Sequence, residues 1–105
     1  MNWYEIKNVD TIDSPALVVY KERMHENIRL LKSMVNNNVA RLRPHIKTNK
    51  MGAVCKMMMD AGITKFKCAT ISEAEMLAMT GTPDVLLSYQ PVGPKAGSFL
   101  NLWIQ

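Results

Sequence analysis

The sequence has no apolar run approaching the ~20 residues that a helical membrane span requires. Its opening residues, Met1-Asn2-Trp3-Tyr4-Glu5, lack the basic-then-apolar order of a secretory leader. A helical span and a leader are therefore excluded, and the expected location is the cytoplasm. Cysteine is scarce: Cys55 and Cys68 stand apart with no CxxC and no second ligand pair nearby, which excludes a zinc site or a disulfide framework and predicts two reduced thiols. Linkers and low-complexity stretches are also missing, so 105 residues amount to one small domain. Acidic residues are the minority, nine Asp and Glu against thirteen Lys and Arg, for a formal charge of +4. That balance suits a modest attraction for anions of any kind. Nine methionines are many, yet Met76 and Met79 sit at helical spacing, where a flexible thioether fills gaps in a core.

What is present alternates. Ala16–Tyr20 (ALVVY), after Ser14-Pro15, reads as a short buried strand because β-branched and aromatic residues crowd it. Met24, Ile28, Leu31 and Val35 then recur at helical spacing from Glu22 onward, and Asn36-Asn37-Asn38 stop that helix. Val39–Ile46 predicts the next strand, and Gly52–Ala61 a helix closed by Gly62. Phe66–Ala69 predicts another strand. Ser72 and Glu75 then read as a capping box opening a helix to Thr80, with Gly81 beyond. Asp84–Tyr89 is the last predicted strand. Pro91, Gly93 and Pro94 mark a loop before a helix over Lys95–Trp103, in which Ala96-Gly97-Ser98 interrupts the amphipathic pattern. Strands alternating with helices predict βαβ units in the α/β class, with a parallel sheet covered by helices. A closed eight-stranded barrel takes ~250 residues, so the expectation is a partial (β/α)8 barrel: three βα units preceded by a strand and a helix. Its open edge would have to be covered by further chain, by a partner, or by a second copy in a homodimer.

One row of residues invites chemistry. Arg41, Arg43, His45 and Lys47 occupy alternate positions of a predicted strand, which puts them on one face, with Leu42 and Ile46 on the other. Pro44 disturbs the regular pleat. Like charges in a row repel unless they reach solvent or an anion binds among them, and the end of a parallel strand is where α/β proteins place ligands. Neighbouring positive charge favours the neutral form of an amine, which is the form that attacks a carbonyl. Lys47 thus suits Schiff-base chemistry. Spacing alone leaves open a second reading, a solvated basic edge or a phosphate-binding surface for nucleic acid.

The stretch Arg43–Lys50, RPHIKTNK, resembles the cofactor-lysine motif of the D-threonine aldolase and D-serine dehydratase family, whose N-terminal domain is an alanine-racemase-like barrel. Asp13–Tyr20 (DSPALVVY), Cys68–Leu77 (CATISEAEML) and Tyr89–Pro94 (YQPVGP) resemble further segments of that family in the same order. The resemblance implies that Lys47 holds pyridoxal 5′-phosphate, that Arg43, His45 and Asn49 lie around the cofactor, and that residues 1–105 form the N-terminal part of the barrel domain. It places a divalent metal in a C-terminal domain that this sequence lacks. Asn49 departs from the usual KTHK, which removes a histidine from proton transfer, although the related alanine racemases carry an asparagine at the same offset. The implied activity is a pyridoxal-phosphate lyase acting on small D-3-hydroxy amino acids, by aldol cleavage or loss of water, without nucleic acid or membrane as partner. Two other readings stand beside it: a cofactor-binding protein without catalysis, and an inactive part of a barrel.

Overall fold

The computed structural model describes residues 2–104. Helix α1 spans Lys21–Met34. It buries Ile28 and packs Met24, Leu31 and Val35 against the core, the spacing the sequence predicts, while Arg29 Nε donates to Glu26 at 2.8 Å on the polar face. The asparagines end it as expected. Asn36 and Asn37 take φ of 53° and 60°, a left-handed conformation that asparagine tolerates better than most residues, and the Asn37 N–H returns to the Lys32 carbonyl at 2.8 Å.

Helix α2 covers Gly52–Asp60 and buries Val54, Cys55 and Met58. Gly62 follows at φ 98°. Strand β1, Lys65–Cys68, then leads to helix α3 at Ile71–Met79, strand β2 at Asp84–Leu87 and helix α4 at Pro94–Ile104. The two strands run parallel, with Lys65 opposite Asp84 and Cys68 opposite Leu87. α4 begins on a proline, which is tolerated where no helical N–H is required, and it continues through Ala96-Gly97-Ser98 with Ser98 Oγ donating to the Pro94 carbonyl.

Two predicted strands are corrected. Ala16–Tyr20 is extended but joins no ladder among the described residues, and Leu17 is 76% exposed. A strand is stabilised by its neighbour, and none lies beside this one. Over Val39–Ile46, residues Val39–Arg41 wind into a 3-10 turn, and only His45 forms a parallel bridge, to Lys67. Pro44 has no N–H to contribute. Its carbonyl still accepts the Lys67 N–H at 2.9 Å, while the Ile46 N–H donates to the Lys67 carbonyl at 3.0 Å. Three parallel segments therefore lie in sequence order, the first reduced to one rung.

A third correction concerns the start of α3. The cap is Thr70, whose side chain accepts the Glu73 N–H at 3.1 Å, and Glu73 reaches back to the Ala69 N–H at 3.0 Å. Because the helix begins at Ile71, the capping box is Thr70-x-x-Glu73, two residues ahead of the predicted Ser72-x-x-Glu75.

The core lies on one face of the sheet. Phe66, Ile46, Ile63, Leu77, Cys55 and Cys68 are fully buried there, beneath α2 and α3. Gly52 allows α2 to approach closely, since a Cβ at that position would sit 3.1 Å from Thr80 Cγ2. The opposite face carries Arg43, His45, Lys65, Lys67, Asp84 and Leu86, none of them buried. This is α/β architecture with helices on one side only, as a sector of a barrel would have.

Candidate functional site

The candidate residues gather where the first parallel segment ends. Beyond the His45 bridge the chain makes a turn over residues 46–49, closed by the Lys50 N–H donating to the Ile46 carbonyl at 2.8 Å. Lys50 has φ 52°, a left-handed conformation that costs an L-residue about 1–2 kcal/mol and persists where neighbours determine it. Three contacts do so. Lys50 Nζ donates to the Lys47 carbonyl at 2.7 Å, Asn49 Oδ1 accepts the Met51 N–H at 2.9 Å, and His45 Nδ1 accepts the Lys47 N–H at 3.3 Å. An accepting Nδ1 leaves the neutral ring's proton on Nε2.

Lys47 itself is exposed, and its Nζ makes no hydrogen bond or ion pair among the described residues. The amine that the sequence motif singles out is therefore accessible and uncommitted, on a turn whose backbone is fixed. Those properties fit an amine that captures the carbonyl of pyridoxal phosphate.

Arg43 is placed differently from its neighbours in the row. Its guanidinium is bound to Asp84 Oδ1 at 2.7 Å and to the Phe66 carbonyl at 3.1 Å, at the amino end of β2, two strand positions behind His45. The hydrogen bond from Arg43 holds the Asp84 carboxyl below its ordinary range, partial burial opposes this, and the charges of Arg43 and Lys65 add to the lowering. Arg41 lies in the 3-10 turn and is exposed. The structure thus brings His45, Lys47 and Asn49 together, with Arg43 engaged elsewhere.

Sequence reasoning missed two cations, Lys65 and Lys67, and the contact of Glu73, a first-turn capping carboxylate, with Lys50. Lys65 and Lys67 alternate with buried Phe66 and Cys68, which puts two more cations on the open face, Lys67 directly opposite His45. The signal was the K-F-K-C alternation itself. Glu73, only 6% exposed, caps α3 and also reaches Lys50 Nζ at 3.5 Å. Burial alone would raise its pKa, but the Ala69 N–H, the Thr70 hydroxyl and the Lys50 ammonium outweigh it and hold Glu73 below the usual carboxylate range.

A cavity of about 610 Å³ lies at the same carboxyl ends, over β1 and β2. Thr70, Ser72, Tyr89, Gln90 and Lys95 contribute to its wall, whereas Lys47 does not. Tyr89 and Gln90 follow β2, which ends at Leu87 rather than at the predicted Tyr89, and stand at the carboxyl end of the sheet.

The model of the alanine racemase N-terminal domain matches residues 19–102. D-threo-3-hydroxyaspartate dehydratase from Delftia sp. (strain HT23) is 37% identical over 76 residues, which is 72% of this chain and 20% of that protein. D-threonine aldolase from Arthrobacter sp. is 28% identical over 83 residues, 79% of this chain and 22% of that protein. The match thus spans about a fifth of either relative's length. No solved structure matches the chain significantly. With the family model covering most of its length, the chain belongs to the alanine racemase N-terminal domain family of pyridoxal-phosphate proteins.

Proposed function

We propose that this chain is the cofactor-anchoring part of a pyridoxal-phosphate lyase acting on D-3-hydroxy amino acids, with Lys47 as the covalent anchor. One observation carries the reading: the Lys47 amine stands exposed and unpaired at the carboxyl end of a parallel segment, on a turn fixed by four hydrogen bonds. The names of the two relatives support the substrate class, since 3-hydroxyaspartate and threonine both carry a hydroxyl on the β-carbon. Residues 1–105 then form the opening three βα units of an eight-stranded barrel, with the N-terminal arm and α1 ahead of them.

Pyridoxal phosphate, when bound, supplies an electron sink for the pair left when a bond at the substrate's α-carbon or its neighbour breaks. The chain's own residues do the rest. Lys47 Nζ would hold the cofactor and, as a free amine, would be placed to take or give a proton at the substrate's α-carbon. His45 fixes the Lys47 backbone through Nδ1 and keeps an Nε2–H to offer. Asn49 shapes the entry to α2 rather than replacing the missing histidine. Arg43, committed to Asp84, ties the first segment to β2 and so keeps the basic face in register.

A second reading, cofactor binding without turnover, is favoured by one feature. The face carrying His45 and Lys67 has no covering layer among the described residues, and Leu86 beside them is 50% exposed, so water reaches a site that lyase chemistry needs dry. Titrating purified protein with pyridoxal 5′-phosphate and following its absorbance tests the shared claim. Saturable binding by the wild type that Lys47→Ala abolishes is expected, and equal binding by both proteins contradicts it. Release of an aldehyde from D-threonine, or of ammonia from D-threo-3-hydroxyaspartate or D-serine, then separates lyase from binder.

A further inference from the structure

We propose that Lys50, held from the next βα unit by the buried Glu73, is a positioning residue that sets the orientation of the Lys47 anchor. The proposal rests on the reading of Lys47 given above and adds a second unit to the site. Lys50 Nζ is shared between two acceptors on different elements, the Lys47 carbonyl at 2.7 Å and Glu73 Oε2 at 3.5 Å. The first contact fixes the peptide plane that follows Lys47. The second ties that plane to the start of α3, because Glu73 is itself anchored by the Ala69 N–H at 3.0 Å and the Thr70 hydroxyl at 3.1 Å.

The two ends of this clip differ in character. Glu73 is 7% exposed at its side chain and cannot swing away without losing its capping bonds, whereas the Lys50 side chain is 63% exposed and, among the described residues, is held by these two acceptors. A buried carboxylate left without its ammonium is costly, so Glu73 favours the position of Lys50 Nζ that it can reach. The consequence lies at Lys50, which adopts its left-handed φ of 52° while its own side chain bonds back three residues. Without the clip, the closing Lys50 N–H to Ile46 hydrogen bond of the turn over residues 46–49 opens more often, and the peptide bearing the anchor loses a constraint. Small misplacements of a reacting group cost far more than their energy of distortion suggests.

The variants Lys50→Met, Lys50→Arg and Glu73→Gln test this on the intact chain. Two readouts are used: trapping of pyridoxal 5′-phosphate at Lys47 by borohydride, quantified against cofactor concentration, and backbone amide exchange at Lys50 and Met51 without cofactor. Lys50→Met is expected to weaken trapping at Lys47 and to speed exchange by about tenfold each, the effect of losing a hydrogen bond to a charged group. Helix content and melting temperature should hardly change, because Lys50 is exposed. Glu73→Gln should do the same in smaller degree, and Lys50→Arg, which keeps the charge and the donors, should restore both readouts. Wild-type trapping and exchange in Lys50→Met overturn the clip while leaving Lys47 as the anchor. Absence of trapping at Lys47 in the wild type overturns the anchor, and the positioning role with it, even if exchange responds.

Discussion

At the scale of single residues, the alternation of Arg43 and His45 was legible because strand geometry sends alternate side chains to one face, as the buried Leu42 and Ile46 show, but the predicted row breaks at both ends, with Arg41 in the 3-10 turn and Lys47 in the turn over residues 46–49. The roles were less legible. Arg43 is taken up by Asp84, forty-one positions away, and Glu73 meets Lys50 across twenty-three positions; no local pattern encodes such partners. The cysteines were read as plain thiols, and their surroundings agree. Burial, with the Glu73 charge adding to it, pushes the Cys68 thiol up to about 11, and burial raises Cys55 as well. Since the thiolate is the reactive form, titration with a disulfide reagent at neutral pH should leave both cysteines unmodified in native protein and modify both in denaturant. Rapid native reaction at either would mean that the core opens readily.

At the scale of elements, helices were read well and strands poorly. The helical repeat is written in neighbouring residues, as with Met24, Ile28 and Leu31, whereas a strand exists only through its partner. Ala16–Tyr20 has strand composition but no partner among the described residues, and Pro44 trims Val39–Ile46 to one bridge. The cap of α3 was misplaced by two residues because T-x-x-E and S-x-x-E both occur there, and only the helix start decides between them. Thr70→Ala should therefore destabilise the protein by about 1 kcal/mol, while Ser72→Ala should cost little; urea melts of the two variants distinguish these outcomes. Glu73→Ala should carry a pH signature. Its carboxyl is lowered in the folded state, so its contribution is complete above the ordinary glutamate range and disappears as pH falls through the lower folded value. The stability gap to wild type should be constant near neutrality and close in acid. A gap that widens in acid would contradict this.

At the scale of the whole molecule, one apolar layer holds everything in place. Phe66, at the middle of β1, is fully buried between sheet and helices, and its replacement by alanine should cost about 3–5 kcal/mol, a large share of the stability a domain of this size has. Denaturant unfolding followed by circular dichroism should show Phe66→Ala unfolded or close to it, and a midpoint near wild type would mean the core lies elsewhere. The other face of the sheet carries the basic residues, and the α/β class with its parallel order was legible from the alternation of strands and helices. In the proposed function, Lys47 is the residue on which the carboxyl end of the sheet depends. The most direct test is peptide mapping after pyridoxal 5′-phosphate and borohydride, at cofactor concentrations low enough for site selection. The pyridoxyl group should be found on Lys47 in preference to Lys50, Lys65 and Lys67, and label spread evenly over the exposed lysines, or absent from Lys47, would contradict the assignment.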